Sequence, residues 1–169
     1  MKTFKKLLLF SVVILLLPIE SHNFLAERKI VEQEIDFFKQ PFYIKRKMVI
    51  YEIVKSGMQH PEIVLAQAML ESANFNSYIF RTNNNMFGMR MPNRRKTHAI
   101  DTYKGYAVYE DWKMSIQDYA LYQKAILRGK TISEEAYLNF LGRKYAESPE
   151  YVAVLKKMIR KIKNDKIIT

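Results

Sequence analysis

The chain has 169 residues, 28 Lys and Arg against 17 Asp and Glu for a formal charge of +11, and no cysteine. That length suits one domain with one core, and the missing thiols exclude disulfides, thiolate metal sites and cysteine nucleophiles. The 11 Tyr and 10 Phe supply enough aromatic area for a dense interior held by packing alone.

Lys2, Lys5 and Lys6 precede an apolar stretch from Leu7 to Leu17, broken only by Ser11 and followed by Pro18, Glu20 and Ser21. This is the pattern of a signal peptide over residues 1–22. The stretch is shorter than the roughly 20 residues that span a bilayer comfortably, which favours a cleaved leader over a retained anchor. A single domain over residues 23–169 then carries +9. Export, to the periplasm, the cell envelope or the exterior, turns that charge toward anionic envelope polymers. It leaves no more than transient membrane contact and argues against nucleic acid, for which no helix-turn-helix pattern is present.

Helical periodicity dominates the remainder. One helix is expected from Leu25 to Lys39, with Ile30, Ile35 and Phe38 among charges, and a second from Phe42 to Lys55, stopped by Gly57. Pro61 opens a third that runs to Ser72 and is apolar on nearly every side, so most of its circumference must be buried. Glu71 closes that run, and Gln67 lies one turn earlier on the same face. Two polar groups on one stripe of a buried helix suggest that the stripe lines a cavity. The negative end of the helix dipole and the apolar surroundings both disfavour ionisation of Glu71. It is therefore a candidate general acid, protonated near neutral pH.

Between Asn74 and Pro92 the periodicity is lost, and Asn83-Asn84-Asn85 marks a loop. From Thr97 to Tyr109 the pattern is strand-like, with Tyr103-Lys104-Gly105 as a hairpin turn. Helices resume over Asp111–Leu127, Ser133–Leu141 and Pro149–Ile162. The last has Ser148 as N-cap, Pro149 at its first position and a buried stripe of Val152, Leu155, Ile159 and Ile162. Lys156, Lys157, Arg160, Lys161, Lys163 and Lys166 crowd this helix, and Arg94, Arg95 and Lys96 form a second basic cluster. The expected fold is a mainly helical α+β domain with a small β-hairpin lobe flanking a cleft. His22, His60 and His98 are scattered, so neither a metal nor a cofactor site is expected.

Three segments carry a family resemblance: Leu65-Ala66-Gln67-Ala68-Met69-Leu70-Glu71-Ser72, then Asn84-Asn85-Met86-Phe87-Gly88-Met89-Arg90, then Tyr145-Ala146-Glu147-Ser148-Pro149-Glu150-Tyr151. In this order they resemble the glucosaminidase domains of glycoside hydrolase family 73. Gly105-Tyr106-Ala107-Val108-Tyr109, followed by Trp112 and Ser115, is similar to the family's passage from β-lobe to helix. The resemblance implies a lysozyme-like fold and cleavage of the β-1,4 bond on the reducing side of N-acetylglucosamine in the glycan strands of peptidoglycan. By position it makes Glu71 the general acid and places Asn85, Phe87 and Gly88 in the loop that shapes the sugar subsites. It also makes Tyr145 the tyrosine that faces the reacting sugar.

The departure from the family pattern is the second carboxylate. Many relatives carry a Glu on the β-lobe, whereas this strand reads Thr97-His98-Ala99-Ile100-Asp101. Asp101 is the nearest substitute, although its position also suits the start of the hairpin. One acid with assistance from the substrate's own N-acetyl oxygen is the mechanism this implies. Competing readings are a muramidase or lytic transglycosylase on the same polymer and a wall-binding module without turnover.

Overall fold

The computed structural model describes residues 36–144 and 150–165. The leader, most of the helix expected from Leu25, and residues 145–149 lie outside the described residues. The chain divides at Gln40 into two units. In the first, Asp36 caps a single 3-10 turn, Phe37–Lys39, by accepting the Phe38 N–H at 3.0 Å.

From Pro41 onward the elements are α1 (Phe42–Lys55), α2 (Pro61–Glu71), α3 (Tyr78–Asn83), β1 (Asp101–Tyr103), β2 (Tyr106–Val108), α4 (Trp112–Leu127), α5 (Glu134–Lys144) and α6 (Tyr151–Asn164). The central element is α2, whose residues from Ile63 to Met69 are all buried. It packs against α1 on one side and α6 on another, while α1 also meets α4, and α5 meets α6. Burial of each large apolar side chain here contributes about 1.5–3 kcal/mol, which is why a helix apolar on all sides ends at the centre.

Pro61 starts α2 as its spacing predicts, with His60 ahead of it in the left-handed region at φ 55°. The turn before α2 is held by polar side chains. Gln59 and Gln123 exchange hydrogen bonds at 2.8 and 3.0 Å, and the His60 ring nitrogen Nε2 meets the Ile132 carbonyl at 2.8 Å. These contacts bind the α1–α2 turn to α4 and to the loop leading into α5.

Three local differences from expectation have physical causes. Helix α3 lies inside the stretch expected to be a loop; six residues are too few to show periodicity, and Ser77 nucleates them by accepting the Phe80 N–H at 3.2 Å. The hairpin is tighter than Thr97–Tyr109, with Asp101, Thr102 and Tyr103 opposite Val108, Ala107 and Tyr106. Lys104 and Gly105 form its two-residue turn at φ 51° and 80°, a geometry that matches strand twist. Helix α6 has Glu150 at its N-cap and begins at Tyr151, while Ser148 and Pro149 fall outside the described residues. Of its expected stripe, Leu155, Ile159 and Ile162 are buried, and Val152 approaches Gly142 of α5 so closely that a Cβ on Gly142 would lie 2.7 Å from its Cγ2. Lys156, Lys157, Arg160, Lys161 and Lys163 are exposed. Among the described residues, no helix is long and apolar enough to cross a membrane.

What fastens the segment ahead of the hairpin to the helices is a buried ion pair. Asp118, fully buried on α4, receives Arg95 through two hydrogen bonds of 2.9 and 2.7 Å, the His98 backbone N–H at 3.0 Å and the Tyr109 hydroxyl at 2.9 Å. Burial alone would push this carboxyl up, but Arg95, Thr97 and the His98 amide outweigh it and hold the group below its usual 3.8. Burial likewise raises the Tyr109 hydroxyl, helped by the charge of Asp118.

A carboxyl depressed by folding adds stability above its unfolded value and loses it as the pH falls through the folded one. The tether should therefore hold at neutral pH and release only in acid below about 3.8. Asp118→Asn leaves the part-buried Arg95 guanidinium without its carboxylate and should cost about 3 kcal/mol in urea unfolding at pH 7. The same variant should lose less stability than the parent when both are taken from pH 5 to pH 3.

Candidate active site

Glu71 is the last residue of α2 and is half-buried. Its position is set by the way the helix stops. The Asn74 N–H reaches back to the Met69 carbonyl at 2.7 Å and the Ala73 N–H to the Leu70 carbonyl at 3.2 Å, a Schellman closure. Ala73, Asn74 and Phe75 are all left-handed, with φ of 49°, 55° and 67°. For L-residues this costs on the order of 1–2 kcal/mol each, so something must hold the turn. Phe75 does so, fully buried with its ring 5.9 Å from Phe42 and 6.4 Å from Phe80. Buried Ser72 adds a second clamp by donating to the Ala68 carbonyl and accepting the Phe75 N–H.

A line of hydrogen bonds reaches Glu71 from the interior. Tyr151 of α6 donates its hydroxyl to Glu71 Oε1 at 3.0 Å, and Gln67 Nε2 donates to Tyr151 at 3.2 Å. Tyr119 of α4 donates to Gln67 Oε1 at 2.6 Å, and the Tyr119 and Tyr137 hydroxyls are 3.2 Å apart. The distances support this orientation of the amide, since 2.6 Å suits O–H···O and 3.2 Å suits N–H···O. Tyr119 has one hydroxyl proton and gives it to Gln67, so Tyr137 of α5 is the donor between the two tyrosines. Every bond then points toward the carboxyl. Burial raises the Tyr151 hydroxyl well above its usual range, with the negative charge of Glu71 adding to it, and burial also raises Tyr137. Both stay protonated at neutral pH.

Aromatic packing fixes the line. Phe87 stacks on Tyr119 with ring centroids 4.1 Å apart and planes at 19°, and His60 stacks on Tyr137 at 5.6 Å and 25°.

Other expected site residues are placed as follows. Gln67, Asn85 and Phe87, expected at the sugar-facing surface, are buried. Gln67 is taken up by Tyr119 and Tyr151, and Phe87 by Tyr119. Asn85 Nδ2 donates to the carbonyls of Met89 and Ala107, both at 2.8 Å, while its Oδ1 accepts the Met89 N–H at 2.9 Å. Gly88, at φ 62°, allows the turn that Asn85 closes. Asp101 is exposed at the start of β1, its Oδ1 accepting the Thr102 N–H at 2.7 Å. Tyr145 lies outside the described residues.

The neighbouring asparagines also reach the hairpin. Asn83 donates to the Tyr103 carbonyl at 3.1 Å, and Asn84 to those of Tyr109 and Glu110 at 3.1 and 3.0 Å. Ser115 of α4 accepts the Met86 N–H at 2.9 Å.

Residues 47–164 match the family model described as glucosaminidase, mannosyl-glycoprotein endo-beta-N-acetylglucosaminidase. The chain belongs to the glucosaminidase family. It is a member of glycoside hydrolase family 73 and, at the level of that family, a hydrolase of peptidoglycan with a lysozyme-like fold. Similar solved structures include the catalytic domain of the autolysin Auto from Listeria monocytogenes, at 20% identity and TM-score 0.54 over 89% of this chain and 99% of that one. Another is a type VI secretion system effector–immunity complex from Pseudomonas protegens, at 23% identity and TM-score 0.54 over 71% and 89%. A comparison with curated protein sequences gives no match.

Tyr119, Tyr137 and Tyr151 were not assigned a site role from sequence, and neither was Asp118. The usable signal for the tyrosines was chemical: a hydroxyl placed on a core-facing helix position has to find a partner.

Asn85→Ala removes three hydrogen bonds from the interior, although the Met89 carbonyl keeps the Ala107 N–H at 2.9 Å and the Ala107 carbonyl keeps the Asn83 amide at 3.5 Å. The glucosaminidase variant should therefore unfold about 1–3 kcal/mol more easily in urea. Its residual folded fraction should digest peptidoglycan more slowly as the loop slackens.

Proposed function

We propose that this glucosaminidase cleaves the β-1,4 bond on the reducing side of N-acetylglucosamine in peptidoglycan, with Glu71 as the general acid. The observation that carries the assignment is the placement of Glu71: a half-buried carboxyl at a rigid helix end, hydrogen-bonded at Oε1 by Tyr151. Glu71 gives its proton to the glycosidic oxygen as the bond to the anomeric carbon breaks. The N-acetyl oxygen of the same sugar closes on that carbon, and water then opens the intermediate.

Support for substrate assistance comes from the β-lobe, where the strand carries no Glu and Asp101 is exposed with one oxygen engaged by its own strand. Tyr145 is assigned the tyrosine that orients the acetamido group or the water. Residues 1–22 are assigned the leader that takes the enzyme to the envelope. There the exposed basic face of α6 suits anionic polymers.

Glu71→Gln, assayed on purified sacculi, should lower turnover at least about a hundredfold, the low end for loss of a general acid. Retained activity would exclude Glu71 from the role. Mass spectrometry of the parent's products should show N-acetylglucosamine at the reducing end, whereas anhydro-muramic ends would assign a lytic transglycosylase and reducing muramic ends a muramidase. Asp101→Asn should give a milder loss. Complete inactivation at unchanged thermal midpoint would instead make Asp101 a second catalytic carboxylate.

A further inference from the structure

We propose that Tyr151 is a positioning residue for Glu71, and that the line Tyr137–Tyr119–Gln67–Tyr151 determines which carboxyl oxygen carries the catalytic proton. The inference rests on Glu71 being the acid. Oε1 receives the Tyr151 hydroxyl at 3.0 Å, so the proton available for transfer resides on Oε2. As Oε2 releases it to the glycosidic oxygen, the electron pair of the breaking C–O bond goes to that oxygen and the carboxylate gains a full negative charge. Tyr151 already donates to that carboxylate, and a hydrogen bond to an ionised group is stronger than one to a neutral group. The stabilisation therefore grows along the reaction coordinate, which is what separates catalysis from simple holding.

Packing alone does not account for the arrangement. Phenylalanine would fill the space at 119, 137 and 151 without burying a hydroxyl, and every buried hydroxyl needs a partner. Here each partner is the next member of the line, with donors aligned in one direction toward Glu71. The titratable groups facing this line come from four places: Tyr151 on α6, Tyr119 and Tyr122 on α4, Tyr137 on α5, and His60 ahead of α2, whose ring stacks on Tyr137. Burial keeps Tyr151 and Tyr137 protonated, so the direction does not reverse near neutrality.

The test compares the parent with Tyr151→Phe and Tyr119→Phe on soluble glycan chains, measuring kcat and KM across pH together with the thermal midpoint. Tyr151→Phe should lose about tenfold to a hundredfold in kcat at unchanged KM. Its alkaline limb should move to higher pH, because removing a donor to the carboxylate favours the acid form. Tyr119→Phe should move both quantities in the same direction by less. An unchanged kcat and limb in Tyr151→Phe would overturn the proposal. So would a loss of kcat that follows a lowered thermal midpoint while the limb stays in place.

Failure of the acid assignment shows separately, as activity retained by Glu71→Gln. The line itself is read without turnover, from the Cζ resonance of ring-labelled tyrosine at neutral pH. The Tyr151 resonance should move in Glu71→Gln, and an unchanged resonance would sink the hydrogen-bonded line.

Discussion

A side-chain amide in an apolar interior has to satisfy both its oxygen and its nitrogen, and the way Gln67 does so governs much of this structure. Its helix is the most buried in the fold, so water is not an available partner. The oxygen takes Tyr119 and the nitrogen gives to Tyr151, which draws α4 and α6 to fixed places around α2. Tyr137 then brings in α5. A polar residue in the middle of a core is usually a liability, because a half-satisfied network is worse than none. Here the network reaches Glu71 with the donor of each bond aimed at the carboxyl, so the interior polarity ends at the half-buried terminus of α2.

The two parts of the body are held by different physics. The helices are joined by apolar burial, with Val49, Ile53, Leu65, Ile116, Leu141 and Leu155 all sealed from solvent. The hairpin has strands of three residues, too short to be stable on their own. It is held by polar side chains that reach backbone groups: Asn83, Asn84 and Asn85 from one side, while Asp118 gathers Arg95, Tyr109 and His98 from another. Such contacts are directional, so they set the geometry of the lobe more tightly than an apolar patch of similar strength would.

The sequence disclosed the helices because burial leaves periodic traces. Pro61 and the unbroken apolar run mark α2, α1 has the bounds its pattern implies, and Asp111, expected as the first residue of its helix, caps α4 by accepting the Lys113 and Met114 N–H groups. Glu71 stood out for the same reason, as a charge ending an apolar run. What stayed hidden depends on partners distant in the chain. Asp118 looks like an ordinary surface acid in an amphipathic helix until Arg95 is brought to it. Tyr119 and Tyr137 look like filler, since pattern counting scores their rings and ignores their hydroxyls. Asn85 and Phe87, expected at the sugar subsites, are buried, the amide engaged by Met89 and Ala107 and the ring stacked on Tyr119, and neither partnership leaves a trace in the local pattern.

The members of the line sit at 67, 119, 137 and 151, each on a separate helix. In an extended chain these four side chains are far apart, and the line to Glu71 is complete only when α6 docks. The arrangement is thus a property of tertiary structure alone: no single segment of the chain carries it, and every helix that contributes to it must be in place at once.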